Sequence, residues 1–348
     1  MPAPHANRAR PLRCGPEGRI ARLSTPTGLP VGDIHSYLLI PESPSEAPVL
    51  VDTGVRSPAA REALESGLAA LGFRVEDLGL ILLTHAHPDH FGQAAGLARR
   101  AGCEVWAHEA AQESIDRYAL PIPPERREVI ATFLRRLGVP ESRARLPFGP
   151  PGGTSLVEPL VATPCLRGGD EIEVAGLRLQ VIHTPGHCPE LVVFWHAESG
   201  TLLSGDHILP DITPVCLFDI PKEVDAPRRH ALSLFLESLA AVEPLPVRQV
   251  LPSHGDPLPS HRATLRAYRL HADQRMLRLA RMLERRREAT AWQLAGELFP
   301  RAIETQLHLV LSEVLGHLDL LEEGGHVALE RRGEELWYLF RSLPEPRV

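Results

Sequence analysis

Lysine is almost missing from this chain: Lys222 is the only one, and arginine carries the rest of the positive charge. Positive charge is itself the minority sign. The 37 Lys and Arg against 44 Asp and Glu leave a formal net charge of -7, so the molecule as a whole is not built to grip polyanions. Cysteine is sparse as well. Cys14, Cys103, Cys165, Cys188 and Cys216 are odd in number, widely spaced and form no C-x-x-C pair. That pattern argues against a disulfide framework or a cysteine-type zinc knuckle and predicts a reducing compartment. No apolar run approaches the length of a membrane span. The opening MPAPHANRARPLRCG lacks the apolar core of a secretory signal, and residues 1–18 read as a flexible tail. A cytoplasmic protein without a membrane partner is therefore expected. What the chain does have is length and apolar content: 348 residues, 43% hydrophobic, suffice for one large domain and a small one.

Strand and helix signals alternate from the start. Residues 37–40 and 49–52 read as two short buried strands joined by a Pro-rich turn. Ser57-Pro58 supplies an N-cap and a first-turn proline for a helix that should stop at Gly72. Residues 80–84 form the next strand, 91–100 a helix and 104–107 a strand. This alternation implies α/β layers. The stretch from about 110 to 164 breaks the rhythm. It holds one clear helical segment, 125–137, among many prolines and glycines, and reads as an insertion that is either a lid or a solvent-exposed decoration. Strands resume at 177–182, 191–195, 201–204 and 247–251. Beyond His261 the character changes. Leu265, Tyr268, Ala272, Met276, Leu279 and Leu283 form one stripe of a long helix. Thr290-Ala291-Trp292-Gln293 is a capping box for a second helix, 303–321 is a third, and 326–330 with 335–340 is a hairpin.

The densest chemistry lies in Thr84-His85-Ala86-His87-Pro88-Asp89-His90, directly after the apolar run Leu80-Ile81-Leu82-Leu83. A strand ending in three imidazoles and a carboxylate delivers several metal ligands to one point. Val51-Asp52-Thr53-Gly54, Thr184-Pro185-Gly186-His187, Ser204-Gly205-Asp206 and Pro252-Ser253-His254-Gly255 also each follow an apolar strand. Together, in this order, these five motifs resemble those of the metallo-β-lactamase superfamily. The resemblance implies an α/β (α+β) fold, an αββα sandwich over 19–260 that contains the insertion. Residues 261–348 would form a small winged-helix-like C-terminal domain, as in some members.

Carried over position by position, the resemblance makes His85, His87 and His187 ligands of a first metal. It makes Asp89, His90 and His254 ligands of a second, with Asp206 bridging both. Asp52 would be a hydrogen-bonding residue beside the site and not a ligand. Imidazole and carboxylate donors suit two zinc ions, with iron or manganese also compatible. Two such ions would generate a bridging hydroxide that attacks an electrophilic carbonyl or phosphorus. Asp89, His90 and Asp206 are then the candidate catalytic residues, Asp89 orienting the hydroxide and relaying a proton. His35, His108, His196, His261, His271, His308 and His317 match no motif and read as structural or solvent-facing. His207 adjoins Asp206 and is a candidate pocket residue. Cys188 reads as a small packed side chain.

A metal site states a reaction type and not a substrate. The ligand set resembles that of hydroxyacylglutathione hydrolases, which favours a small-molecule acyl ester or thioester. Lactamase-β-like endoribonucleases offer a nucleic-acid alternative. Residues 289–348 carry five Arg against ten acids, which disfavours phosphate gripping there, whereas 262–287 carries nine Arg against two acids. That basic helix reads as a solvated face, or as a grip for phosphates or a phosphopantetheine carrier. A non-catalytic metal-bound scaffold or regulator is the third reading. The C-terminal domain is a candidate surface for homo-oligomerisation.

Overall fold

The computed structural model describes residues 11–145 and 156–345. Seven strands lie side by side in chain order: β1 (Leu12–Cys14), β2 (Ile20–Thr25), β3 (Ile34–Leu39), β4 (Val49–Val51), β5 (Leu80–Leu82), β6 (Glu104–His108) and β7 (Thr163–Leu166). Pairing is antiparallel from β1 to β4 and parallel from β4 to β7. The parallel steps are bridged by α1 (Pro58–Ala70), then α2 (Pro88–Phe91) and α3 (Ala94–Ala101), then α4 (Ala111–Ala119), α5 (Pro124–Arg136) and α6 (Glu141–Ala144). Parallel neighbours require such crossovers. The second sheet contains β8 (Glu171–Val174), β9 (Leu177–His183), β10 (Val192–His196), β11 (Thr201–Gly205) and β12 (Gln249–Pro252), with α7 (Ala231–Val242) joining its one parallel pair, β11 and β12.

Alternation along each strand builds the layers. Val49 and Val51 face the second sheet, where Val192, Phe194, Leu203 and Leu251 meet them. Leu50, between them, points the other way into a core with α1, α3 and α4. On the second sheet Val193 and Trp195 face outward into a further core with α7. Residues one apart on a strand serve opposite faces, so two sheets coated on both sides make helix–sheet–sheet–helix layers.

The C-terminal part begins with α8 (Arg262–Arg286), followed by β13 (Glu288–Ala289), α9 (Ala291–Leu298), α10 (Leu307–Glu323) and the hairpin of β14 (Val327–Arg332) and β15 (Glu335–Phe340). Its sheet order is β13-β15-β14. Its apolar residues share one core with the outer face of the second sheet. Among the described residues no helix is long and apolar enough to cross a membrane.

Several elements differ from expectation. Residues 1–10 of the expected tail lie outside the described residues, but Leu12–Cys14 form β1, hydrogen-bonded along β2. The helix expected over 91–100 is interrupted at Gly92 and Gln93, where Gln93 N donates across to Gly54 O at 3.2 Å instead of along the helix. The insertion carries three helices where one was expected, and residues 146–155 lie outside the described residues. Its α5 and α6 are packed into the C-terminal core through Ile130, Phe133, Leu134 and Ala144. Trp292 N donates to Leu137 O at 2.9 Å and the Arg143 guanidinium to Ile303 O at 2.9 Å. That half of the insertion is therefore neither a free lid nor a loose decoration.

Candidate metal centre

The five sequence motifs meet at one edge of the sandwich. Asp52 follows β4, the 84–90 segment follows β5, His187 follows β9, Asp206 follows β11 and His254 follows β12. Proline at position 88 opens the short α2, whose single turn carries Asp89 and His90 back toward His85. Gly186 has φ 141°, and a Cβ there would lie 2.4 Å from Cα of Phe235 on α7, so only glycine allows the turn that presents His187.

Two groups of donors form. His85, His87, His187 and Asp206 make one, and Asp89, His90 and His254 the other, with one candidate ligand atom from each residue within 4.8 Å of the others in its group. In the first, His87 Nδ1 lies 3.0 Å from His85 Nε2 and 2.9 Å from His187 Nε2. Asp206 reaches both groups: Oδ2 is 3.3 Å from His187 Nε2, and Oδ1 is 3.4 Å from His90 Nε2 and 3.8 Å from His254 Nε2. Asp89 Oδ2 is 3.3 Å from His254 Nε2. Ser253 donates its hydroxyl to Asp206 Oδ1.

The outward nitrogens decide which way the inward ones face. His187 Nδ1 donates to Val215 O at 2.7 Å and His254 Nδ1 to Asp33 O at 2.8 Å. His90 Nδ1 donates to Asp52 Oδ2 at 2.8 Å. Thr84 gives its hydroxyl proton to Asp52 Oδ2 at 2.7 Å, and so receives His85 Nδ1–H at 3.1 Å. In the neutral rings each Nε2 therefore points inward as a lone pair. In the first group a single proton on His87 Nδ1 cannot satisfy two such lone pairs at once. In the second, His90 Nε2 and His254 Nε2 are buried without a hydrogen-bond partner. Buried orphans of this kind are rare and need a reason. A cation inside each group supplies one, so the donor set fits a pair of divalent metals.

Electrostatics distinguishes the two groups. Burial, reinforced by neighbouring imidazoles, holds His85 and His87 well below the usual histidine range, so both are neutral donors. In the second group the balance is opposite: burial works against charge on His90, but Asp52, Asp206 and Asp89 outweigh it and raise its pKa, so without a metal the ring favours a proton on Nε2 that a bound cation would have to displace. Burial likewise works against ionised Asp206, yet His90, His254 and His187 hold it well below the usual carboxylate range.

Asp52 stands in none of the donor groups. It accepts from Thr84 N at 2.9 Å as well as from the Thr84 hydroxyl and His90. His207 is fully enclosed, its ring 5.4 Å from that of Phe235, and does not face an open pocket. Cys188 is buried, and burial pushes its thiol well up. Two neighbours escaped the sequence. Glu190 is fully buried and accepts from Ala86 N, between two histidines of the first group, at 3.2 Å. Burial raises its pKa. The acid sits alone in the apolar context Pro189-Glu190-Leu191-Val192, which is the signal that could have found it. Tyr118, on α4 of the insertion, sets its ring edge-on to His87 at 5.9 Å. No motif marks it.

With this geometry in view, comparison with known proteins defines the class. The sequence profile of the metallo-beta-lactamase superfamily matches residues 29–254, and the chain belongs to that superfamily. Within it, the chain is 29% identical over 309 residues to "Probable metallo-hydrolase YqjP" of Bacillus subtilis, covering 87% of this chain and 92% of that one. Hydroxyacylglutathione hydrolase GloC of Haemophilus influenzae is 27% identical over 140 residues, 38% of this chain and 53% of its own. The crystal structure of a metallo-beta-lactamase family protein from Thermus thermophilus superposes with a TM-score of 0.76 at 30% identity, covering 93% and 99% of the two chains. A beta-lactamase domain protein from Burkholderia ambifaria gives 0.74 at 26%, covering 93% of each.

Proposed function

We propose that this protein is a binuclear metal-dependent hydrolase that cleaves a small ester or thioester. The observation that carries the reading is the arrangement of bare donor atoms around Asp206, whose two carboxylate oxygens are directed one to each group. His85, His87 and His187 hold the first ion, Asp89, His90 and His254 the second, and Asp206 serves both; zinc suits this donor set, as do iron and manganese. When bound, a pair of divalent cations lowers the pKa of water toward neutrality and stabilises negative charge on a substrate oxygen. Asp52, through Thr84 and His90, keeps the ligand loop in register. Asp89, at the edge of the second group, orients the attacking water and passes a proton to the leaving group. The partial likeness to a hydroxyacylglutathione hydrolase supports a thioester over other esters.

Nucleic acid is the second reading. One observation favours it: an open groove of about 450 Å3 on α8 is lined by Arg278, Arg281 and Arg285. One opposes it. We read the C-terminal part as winged-helix-like, but in it α10 buries Val310, Leu311, Val314, Leu315, Leu318 and Leu321, leaving little helix surface for a groove of DNA or RNA.

The test is metal analysis followed by turnover on short acyl thioesters, a phosphodiester reporter and single-stranded RNA. The expected result is two metal equivalents and thioester hydrolysis that His87→Ala abolishes and RNA does not inhibit. Two bound metals with salt-sensitive RNA cleavage would replace the thioester reading, and a metal-loaded protein inert on all three would leave a metal-bound scaffold.

A further inference from the structure

The C-terminal part does more than cover the second sheet. Between Asp206 and α7 the chain forms a long segment, and residues 207–218 of it are held from two sides. On the C-terminal side, the buried phenol of Tyr268 on α8 accepts from Leu209 N at 2.8 Å and donates to Leu209 O at 2.7 Å, with Ile212 O at 3.3 Å. Six residues after Ile212, Phe218 N donates to the Ser312 hydroxyl on α10 at 3.2 Å, and that hydroxyl donates to His308 O at 2.8 Å. On the metal side, Val215 O takes the Nδ1 proton of His187 at 2.7 Å, and Leu217 N donates to His187 O at 3.3 Å. Between the two C-terminal pins, the segment touches one histidine of the first donor group and fixes its tautomer. Gly255, beside His254, seals the near end of the segment, since a Cβ there would lie 2.4 Å from Pro210 Cγ.

We propose that Tyr268, assisted by Ser312, is a positioning residue for the first metal: the C-terminal part holds the 207–218 segment so that Val215 O orients His187. The inference rests on the metal-binding reading above. Tyr268 touches neither the donors nor a substrate; its hydroxyl acts through this segment, while its ring also packs near Phe235, a contact that Tyr268→Phe preserves. Its loss frees the carbonyl of Val215 to drift and lets the His187 ring turn its lone pair away from His85 and His87. The partner one step behind the ligand is Val215 O, and such partners set affinity by roughly 10–100-fold; Tyr268 stands a step further back and fixes where that carbonyl lies. The second group is tied to the C-terminal part less directly: His254 leans on Asp33 O and His90 on Asp52, and the segment reaches it only where Pro210 packs against Gly255.

The experiment compares full-length wild type, Tyr268→Phe, Ser312→Ala and His87→Ala. Co2+ binding is followed by absorption and chelator competition after circular dichroism has established that each variant is folded. His87→Ala marks the signal of the second group alone. Tyr268→Phe is expected to weaken the first equivalent by about tenfold or more and to leave the second within about twofold. Ser312→Ala, which pulls the opposite pin, is read in the same way and decides the matter should Tyr268→Phe not fold. Folded variants with wild-type affinity for the first ion, or with both ions weakened equally, overturn the proposal. Wild type that takes up no Co2+ overturns the metal reading itself, a separate outcome.

Discussion

Asp52 is held at φ 58°, a left-handed backbone that an aspartate tolerates with strain. What the strain secures is a carboxylate with three donors, Thr84 N, the Thr84 hydroxyl and His90 Nδ1. The last contact governs chemistry, because a proton kept on Nδ1 leaves Nε2 bare. Asp52→Asn keeps the shape but can present an amide N–H where Oδ2 stood. His90 Nδ1 must then become the acceptor, and the ring proton moves to Nε2, the face that should meet a metal. The same substitution beneath a catalytic histidine elsewhere is severe for this reason. Asp52→Asn is therefore expected to fold normally yet lose about 10–100-fold in affinity for the second ion, with the first less affected. Competition with a calibrated chelator measures it; unchanged affinity would mean that Asp52 does not set the tautomer. Glu190 offers a contrast. Glu190→Gln preserves an acceptor for Ala86 N and should be mild, whereas Glu190→Ala strands a buried donor and should destabilise by about 1–3 kcal/mol in thermal or chemical denaturation.

At the scale of elements, those with their own local signals were legible and those defined by neighbours were not. Ser57-Pro58 predicted the start of α1, and Ser57 accepts from Ala60 N at 3.1 Å. Thr290 and Gln293 close a reciprocal capping box at α9, with contacts of 3.3 and 3.1 Å. The apolar stripe of α8 is the buried face. By contrast β1, β8 and β13 are two to four residues long and exist through their partners. The α7 sequence, ALSLFLESLAAV, is apolar nearly all round and offers no stripe to read. The site motifs were legible because each is a compact cluster of rare residue types after a strand. Tyr118 and the Tyr268 tether were not, because a lone tyrosine on a helix carries no such pattern. The capping box permits a direct check. Thr290 is buried, and its hydroxyl also crowds Gly138, where a Cβ would lie 2.4 Å away. Thr290→Ala should cost about 1 kcal/mol in denaturant unfolding. A neutral result would assign the stability of α9 to packing alone.

At the scale of the whole molecule, three cores stack across two sheets, and buried histidines sit among them. Burial holds His35 and His108 each at about 4, with Arg22 adding to the effect at His35 and His183 at His108. Both rings are nearly inaccessible, at 8% and 7% exposure. Their folded pKa lies below the unfolded value of about 6.5, so between those limits the unfolded chain binds more protons than the folded one. Stability then rises with pH through this window and levels off above it. Read downward, acid withdraws stability from about pH 6.5 to about pH 4, on the order of 3 kcal/mol at most for each histidine. Bound metal adds a further term, because ligands that bind only the folded state stabilise it by mass action and protons compete for the same nitrogens. The two effects separate in a chelator-treated sample. Between about pH 6.5 and 4.5 its thermal midpoint should fall less steeply in His35→Gln and His108→Gln than in wild type, while His90, with its raised pKa, acts in the opposite sense in all three. The metal-loaded protein should lie above it at pH 7 and converge with it in acid. Variants whose midpoint falls as steeply as that of wild type across this window would show that these two imidazoles are not held neutral by burial, and the layered packing that encloses them would need another account.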